Sequence, residues 1–265
     1  MGSAAKPPFG ARTDKSSPLA RGLAGLWLFN EPGGLRVFDA AGSNHGVMTN
    51  MAMPSTSTSG RGQSRLGPCM VYDGTNDNVV VTHAPSLAIL GDMTIAAWVY
   101  LRTYVGYSGI LSKVKSAAVP NPAPYDYWIE TGTGKPALLL GDGTASTLVY
   151  STLAIPLNTW TFVAATLSGT GVTHYLGGVA NGTGTNTTTR ADLGTDAGIG
   201  GRADNGTSLK GSLGQVRLYN RALSAGEIME LYRSPYAGVL APSQRFPSWA
   251  IGGPPAPRYG FFRFM

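Results

Sequence analysis

The chain of 265 residues is 43% hydrophobic and only 13% charged, with 37 glycines and 18 prolines, a balance that allows one large core and favours many short strands and tight turns over helices. A single cysteine, Cys69, excludes an internal disulfide framework, and no run approaches the ~20 apolar residues of a membrane span. The net charge of +6 sits at the ends, where Lys6, Arg12, Lys15 and Arg21 face one acid, Asp14, and Arg233, Arg245, Arg258 and Arg263 face none; the body is near neutral, and the termini suit acidic surfaces.

Residues 1–21, rich in Pro, Gly, Ser and Lys, read as an extended N-terminal arm. They lack the apolar stretch of a signal peptide, so synthesis in a cytoplasm is expected. Leu26, Trp27 and Phe29 anchor a first strand, Gly33-Gly34 and Asn44-His45-Gly46 mark turns with His45 as a loop donor, and "STSTSG" (55–60) reads as an exposed loop. "MTIAAWVYLR" (93–102) sets Ile95, Ala97, Val99 and Leu101 against Ala96, Trp98 and Tyr100, apolar on both faces, which predicts an inner strand. Trp98 and Trp160 are large rings expected between two sheets.

Further glycine punctuation falls at 132–134 and 141–143. "NTWTFVAATLSGTGVTHYLGGVANG" (158–182) gives two strand-like runs and a Gly177-Gly178 hairpin. "GTGTNTTT" (182–189) reads as another exposed loop. Turn signals at this spacing predict a sandwich or barrel of about a dozen strands. "GSLGQVRLYNRALSAGEIMELY" (211–232) then runs from an alternating strand into the one helix with a clear start, where Ser224 and Glu227 form a capping box. Ile228, Leu231 and Tyr232 make its apolar stripe, expected over one end of the sandwich, with Glu230 on a solvated face. Residues 235–265 hold six prolines and the rings of Tyr236, Phe246, Trp249, Tyr259, Phe261, Phe262 and Phe264, a composition that needs a surface to lie on.

Catalytic patterns fail on inspection. A retaining pair of carboxylates, ~5.5 Å apart, is most simply supplied at positions i and i+2 of a strand, and no two acids here are two apart. "TGTGKP" (131–136) lacks the first glycine of a phosphate loop and puts Pro136 where a hydroxyl belongs, and "AGIGGRA" (197–203) does not complete a dinucleotide fingerprint. There is no Gly-x-Ser-x-Gly elbow, and His45, His83 and His174 have no ligand spacing. Asn181, Asn186 and Asn205 stand in glycosylation sequons.

Seven phrases carry a resemblance: "GLAGLWLFNEPGGLRVFDAAGSNHGVMTN" (22–50), "MVYDGTNDNVVV" (70–81), "MTIAAWVYLR" (93–102), "GILSK" (109–113), "NTWTFVAATL" (158–167), "THYLGGVANG" (173–182) and the closing 211–232. In that order, over about residues 20–234, the chain resembles the laminin-G-like domains of the concanavalin A-like lectin and glucanase superfamily. The resemblance implies an all-β fold, a two-sheet antiparallel jelly-roll sandwich with the opening stretch as closing strand, one short C-terminal helix, and extended arms at 1–21 and 235–265 around a body at 22–234. It also implies binding of glycans, proteins or calcium, with hydrolases a minority.

Calcium in similar domains is held by the loop after the "DG" phrase and by an acid just before the closing strand. Asp73, Gly74 and Asp77 keep the first half; Gly214-Gln215 stands where the second half carries an acidic pair. Six to eight oxygens with enough negative charge are needed, so calcium is disfavoured, no cofactor is expected, and Asp73 and Asp77 remain the metal candidates, with turn capping as their plain role.

The expectation is a non-enzymatic protein, similar to laminin-G-like proteins of tailed-phage virions, that decorates a capsid or tail. Its arms would dock on other virion proteins through Arg245, Phe246, Trp249, Arg258, Tyr259, Phe261, Phe262, Arg263 and Phe264, and its body would touch host surface glycans. A homo-oligomer on the virion surface is expected, with no membrane and no nucleic-acid partner. A free carbohydrate-binding, lectin-like module and a divergent glycoside hydrolase are the alternatives.

Overall fold

A strand apolar on both faces must be buried on both, and Met93–Leu101 is. In the computed structural model, which describes residues 5–104, 106–114, 124–203 and 208–242, this strand lies between Trp160–Ser168 and Lys210–Tyr219. The sheet continues through Gly171–Leu176 to Val179–Thr185 on one side and through Gly67–Asp73 to Gly60–Ser64 on the other. Leu23–Trp27 pairs with the far half of Lys210–Tyr219, so the opening of the chain does close this sheet.

The opposite sheet runs Ser146–Tyr150, Pro136–Gly141, Tyr125–Ile129, Ser108–Lys113, Ala197–Ile199, Asn78–Val81, Gly46–Thr49 and Arg36–Val37. All pairs are antiparallel, and the two sheets form the predicted sandwich. The described residues hold more strands than the dozen expected, because several are only two to four residues long. Val179–Thr185 also runs into the stretch read as an exposed loop.

The inward stripe of Met93–Leu101 is Ile95, Ala97, Val99 and Leu101, which join Val163, Ala165, Val216 and Leu218 against Tyr125, Tyr127, Leu138, Leu140, Val79 and Val81 of the other sheet. Burying each such aliphatic side chain contributes about 1.5–3 kcal/mol before entropy is counted. Tyr72 completes this core beside Gly200, whose φ of +85° and lack of a Cβ let the ring lie against the backbone. His174 is also enclosed here. Its Nε2 donates to the Val149 carbonyl at 3.0 Å and its ring stacks on Tyr127, and burial drives its pKa down to about 4, so it is neutral.

Two tryptophan expectations are corrected by alternation. With Ala97 and Val99 facing inward, Trp98 must face outward, and it packs with Phe162 and Tyr232 beneath the helix Ala225–Arg233. Trp160 is half-buried on the same outer face. The helix therefore lies across the outer face of this sheet, not over one end of the sandwich. Its capping box forms as expected, with Ser224 accepting from the Glu227 amide and Glu227 from the Ser224 amide, while Ile228 and Leu231 are buried and Glu230 is exposed.

Both terminal segments, as far as they are described, lie on the body. Arg12–Thr13 pairs with Val239–Leu240, and this ribbon packs Ala11, Tyr236 and Val239 over Leu26 and Leu28. Lys6 donates to the carbonyls of Pro68 and Gly214, and its ammonium stands 5.9 Å from the centre of the Tyr236 ring.

Candidate functional site

The metal candidates sit in a tight turn between Gly67–Asp73 and Asn78–Val81. Asp73 accepts from the Thr75 amide at 2.7 Å and Asp77 from the Asp73 amide at 3.0 Å, the Asx chemistry of a turn. Burial raises the Asp77 pKa, with hydrogen bonds from Ser59 and Asp73 pulling it back. Among the described residues no group of three or more His, Cys, Asp or Glu side chains converges on one point. This donor set falls short of a calcium cage. Gly214 and Gln215 dock the termini instead: the Gly214 carbonyl accepts from Lys6 and the Gln215 amide donates to Pro235.

Other sequence candidates fall into structural roles. His45 is an acceptor, not the expected donor: its Nδ1 takes the Asp39 amide proton. Asn181 and Asn186 are buried, the first bonded to Leu153 and the second to Thr188, and Asn205 lies outside the described residues. So do the predicted docking residues Arg245, Phe246, Trp249, Arg258, Tyr259, Phe261, Phe262, Arg263 and Phe264.

The carboxylates best placed for chemistry are already engaged. Asp126, on the outer face of the opposite sheet, takes Arg202 at 2.9 and 3.1 Å on Oδ2 and the Tyr107 and Ser112 hydroxyls on Oδ1. Glu31 is held by Arg61 and the Phe38 amide, Asp39 by the amides of Leu26, Ala41 and Asn44, and Asp192 by the buried Lys113. A carboxylate so bonded is a poor general acid or base, since a proton or a partner must first be displaced.

An open trough remains on the helix-bearing sheet. The helix covers Trp98 and Phe162, and the terminal ribbon covers Leu26 and Leu28; the end bounded by Gly60–Ser64 is left uncovered. There, three adjacent strands present Gly62, Cys69, Val71 and Ser212, small side chains that set the floor low. The next two strands present Tyr100, register partner of Ser212, and Trp160, register partner of Tyr100, and these rings rise as a wall. Their centroids are 5.7 Å apart and their planes inclined by 47°.

Thr56, Ser57, Gln63 and Ser64 line the other side, and Arg102 completes a cleft of about 390 Å³. A second hollow of about 410 Å³ shares Gly62 and Gln63 and continues past Asn30, Glu31 and Arg61. Burial pushes the Cys69 thiol up, which makes it an inert part of the floor. A larger cleft of about 600 Å³ lies by the terminal ribbon, between Phe9, Phe38 and His45, whose rings interlock edge to face.

From the sequence alone Trp160 belongs to the core and Tyr100 only to one face of an inner strand, and nothing singles out Gln63, Arg102 or Ser212. The one signal was position: Trp160 opens its strand directly after a turn, where a side chain is least enclosed.

With these elements in place, the class defined is a two-sheet antiparallel jelly roll with an open cleft on its helix-bearing sheet. The chain belongs to the concanavalin A-like lectin/glucanases superfamily, matching its Laminin_G_3 family over residues 73–229. No curated protein sequence matches the chain. Solved structures share the fold at low identity: a Trypanosoma rangeli sialidase in complex with sialic acid is 19% identical over 81% of this chain and 33% of its own, with a TM-score of 0.59. The binding domain of Paraclostridial Mosquitocidal Protein 1 is 13% identical over 83% of this chain and 53% of its own, with a TM-score of 0.61. Domain 4 of AbnA, a GH43 extracellular arabinanase from Geobacillus stearothermophilus in complex with arabinotriose, is 16% identical over 79% of this chain and 98% of its own, with a TM-score of 0.57. The chain thus spans about a third of the sialidase, and at these identities the likeness speaks to fold alone.

Proposed function

We propose that this protein is a non-catalytic attachment module that binds a saccharide in the trough beside Tyr100 and Trp160. The observation that carries the reading is the pairing of two inclined, half-buried rings with the hydroxyls of Thr56, Ser57, Ser64 and Ser212 and the Gln63 amide, with no carboxylate in the lining. Rings take the C–H faces of a sugar, and hydroxyl and amide groups fix its orientation. A volume of about 390 Å³ lies in the usual range of small-ligand clefts, ~300–1,000 Å³. The saccharide-bound arabinanase domain and the toxin binding domain are compatible neighbours in fold, though that support is by analogy.

In its native setting the module is proposed to stand on a virion surface, with residues 235–265, basic and ring-rich, docking it to other virion proteins. The physical support for this part is the charge placement, which leaves the last stretch with three arginines after Arg233 and no acid. Glycan-array binding by the full chain, lost in Trp160→Ala with the fold intact by circular dichroism, is the expected result. Release of reducing ends from any polysaccharide bound would overturn the non-catalytic reading, and absence of the protein from purified particles of its source, by mass spectrometry, would overturn the virion setting.

A further inference from the structure

We infer that the trough selects a saccharide bearing a carboxylate, with Arg102 as its anion contact and Arg65 at the rim. This rests on the reading of the trough as a saccharide site. Arg102 is the one cation among the residues lining the cleft, and no acid lines it. Elsewhere Arg61, Arg202 and Arg221 are matched to Glu31, Asp126 and Glu227, and Arg190 and Arg217 are each spent on two backbone carbonyls. Arg102 differs.

Among the described residues it forms no ion pair, and its side chain makes one long hydrogen bond, Nη2 to the Ser57 carbonyl at 3.3 Å. Arg65 likewise donates only to the Trp160 carbonyl, at 3.4 Å. A guanidinium offers five N–H donors in a planar fork that fits a carboxylate bidentately, so most of the fork of Arg102 is left for a ligand. The thiol of Cys69 on the floor is neutral, so no buried anion offsets the charge. With Tyr100 and Trp160 beside it, the fork is placed to take the carboxylate of a sugar whose ring packs on the wall.

The test is calorimetric titration of the full chain with uronate oligosaccharides and 3′-sialyllactose, each against its methyl ester or neutral counterpart, with inorganic sulfate as competitor. The carboxylated member is expected to bind about ten- to a hundredfold tighter than its neutral counterpart, a margin set by charge-assisted hydrogen bonding and shrinking with added salt. Arg102→Gln should erase the margin, while Arg102→Lys keeps part of it. Equal affinity for acid and ester in the unaltered protein overturns the inference, as does a margin that survives Arg102→Gln, or sulfate that displaces ligand as well as the acidic sugar does. Acid and ester binding equally leaves the saccharide reading standing; no binding by either kind of sugar ends that reading and the inference together.

Discussion

Trp98 offers a sharp test of how the helix is held. The indole is 4% exposed, stacked 5.9 Å from Tyr232 at 19° and 5.6 Å from Phe162, so Trp98→Ala empties a ring-sized space under Ala225–Arg233 and should cost about 3–5 kcal/mol. The indole N–H, however, is buried without a hydrogen-bond partner among the described residues, which costs about 1–3 kcal/mol in the native protein. Trp98→Phe loses part of the ring area but also removes that unpaired donor. The two effects offset, and the variant should lie within about 1 kcal/mol of wild type. Urea unfolding followed by far-ultraviolet circular dichroism, with midpoints compared at constant slope, measures both. If Trp98→Phe proves as costly as Trp98→Ala, the donor is satisfied and the account of this contact is wrong.

Lys6 makes stability depend on pH. Burial brings its pKa from 10.5 to about 7, against the pull of Cys69 and Glu31, so between these values the unfolded chain holds a proton that the folded chain has released. Stability should therefore rise from pH 7 towards 10.5 and be flat in this respect below 7. Wild type should gain up to about 3 kcal/mol on Lys6→Met between pH 7 and 9.5, and a pH-independent difference in midpoints would show the ammonium to be well solvated.

At the helix start, Arg221 holds Glu227 down to about 2, with burial opposing and the Ser224 amide assisting. That contribution is present above about pH 4.5 and lost as pH falls towards 2; discounted for solvent screening it is about 1 kcal/mol. Glu227→Gln should flatten the acid limb of a stability profile, and an unchanged limb would refute the pairing. Ser224→Ala should cost about 1 kcal/mol by thermal unfolding. Arg202→Met strands the fully buried Asp126 carboxylate and should cost about 3–5 kcal/mol, whereas Arg202→Met with Asp126→Asn should recover much of it; a single variant of near wild-type stability would mean that water reaches Asp126.

Much of the sandwich is written locally. The doubly apolar run at 93–101 can only be an inner strand, Gly177-Gly178 can only be a tight turn, and Ser224 with Glu227 can only start a helix, because each depends on the covalent geometry and solvation of neighbouring residues. Which face of an inner strand meets the other sheet is not local: both stripes of Met93–Leu101 are apolar, and packing against the second sheet chose Ala97 for the core and sent Trp98 under the helix. The terminal clasp joins Lys6 to Gly214 across 208 positions, beyond any periodicity. The trough is likewise tertiary. Gly62, Cys69, Ser212, Tyr100 and Trp160 become neighbours only through antiparallel register, and since alternation fixes which residues share a face but not which faces stay uncovered, the sequence determined the strands and the folded chain decided where the open surface lies.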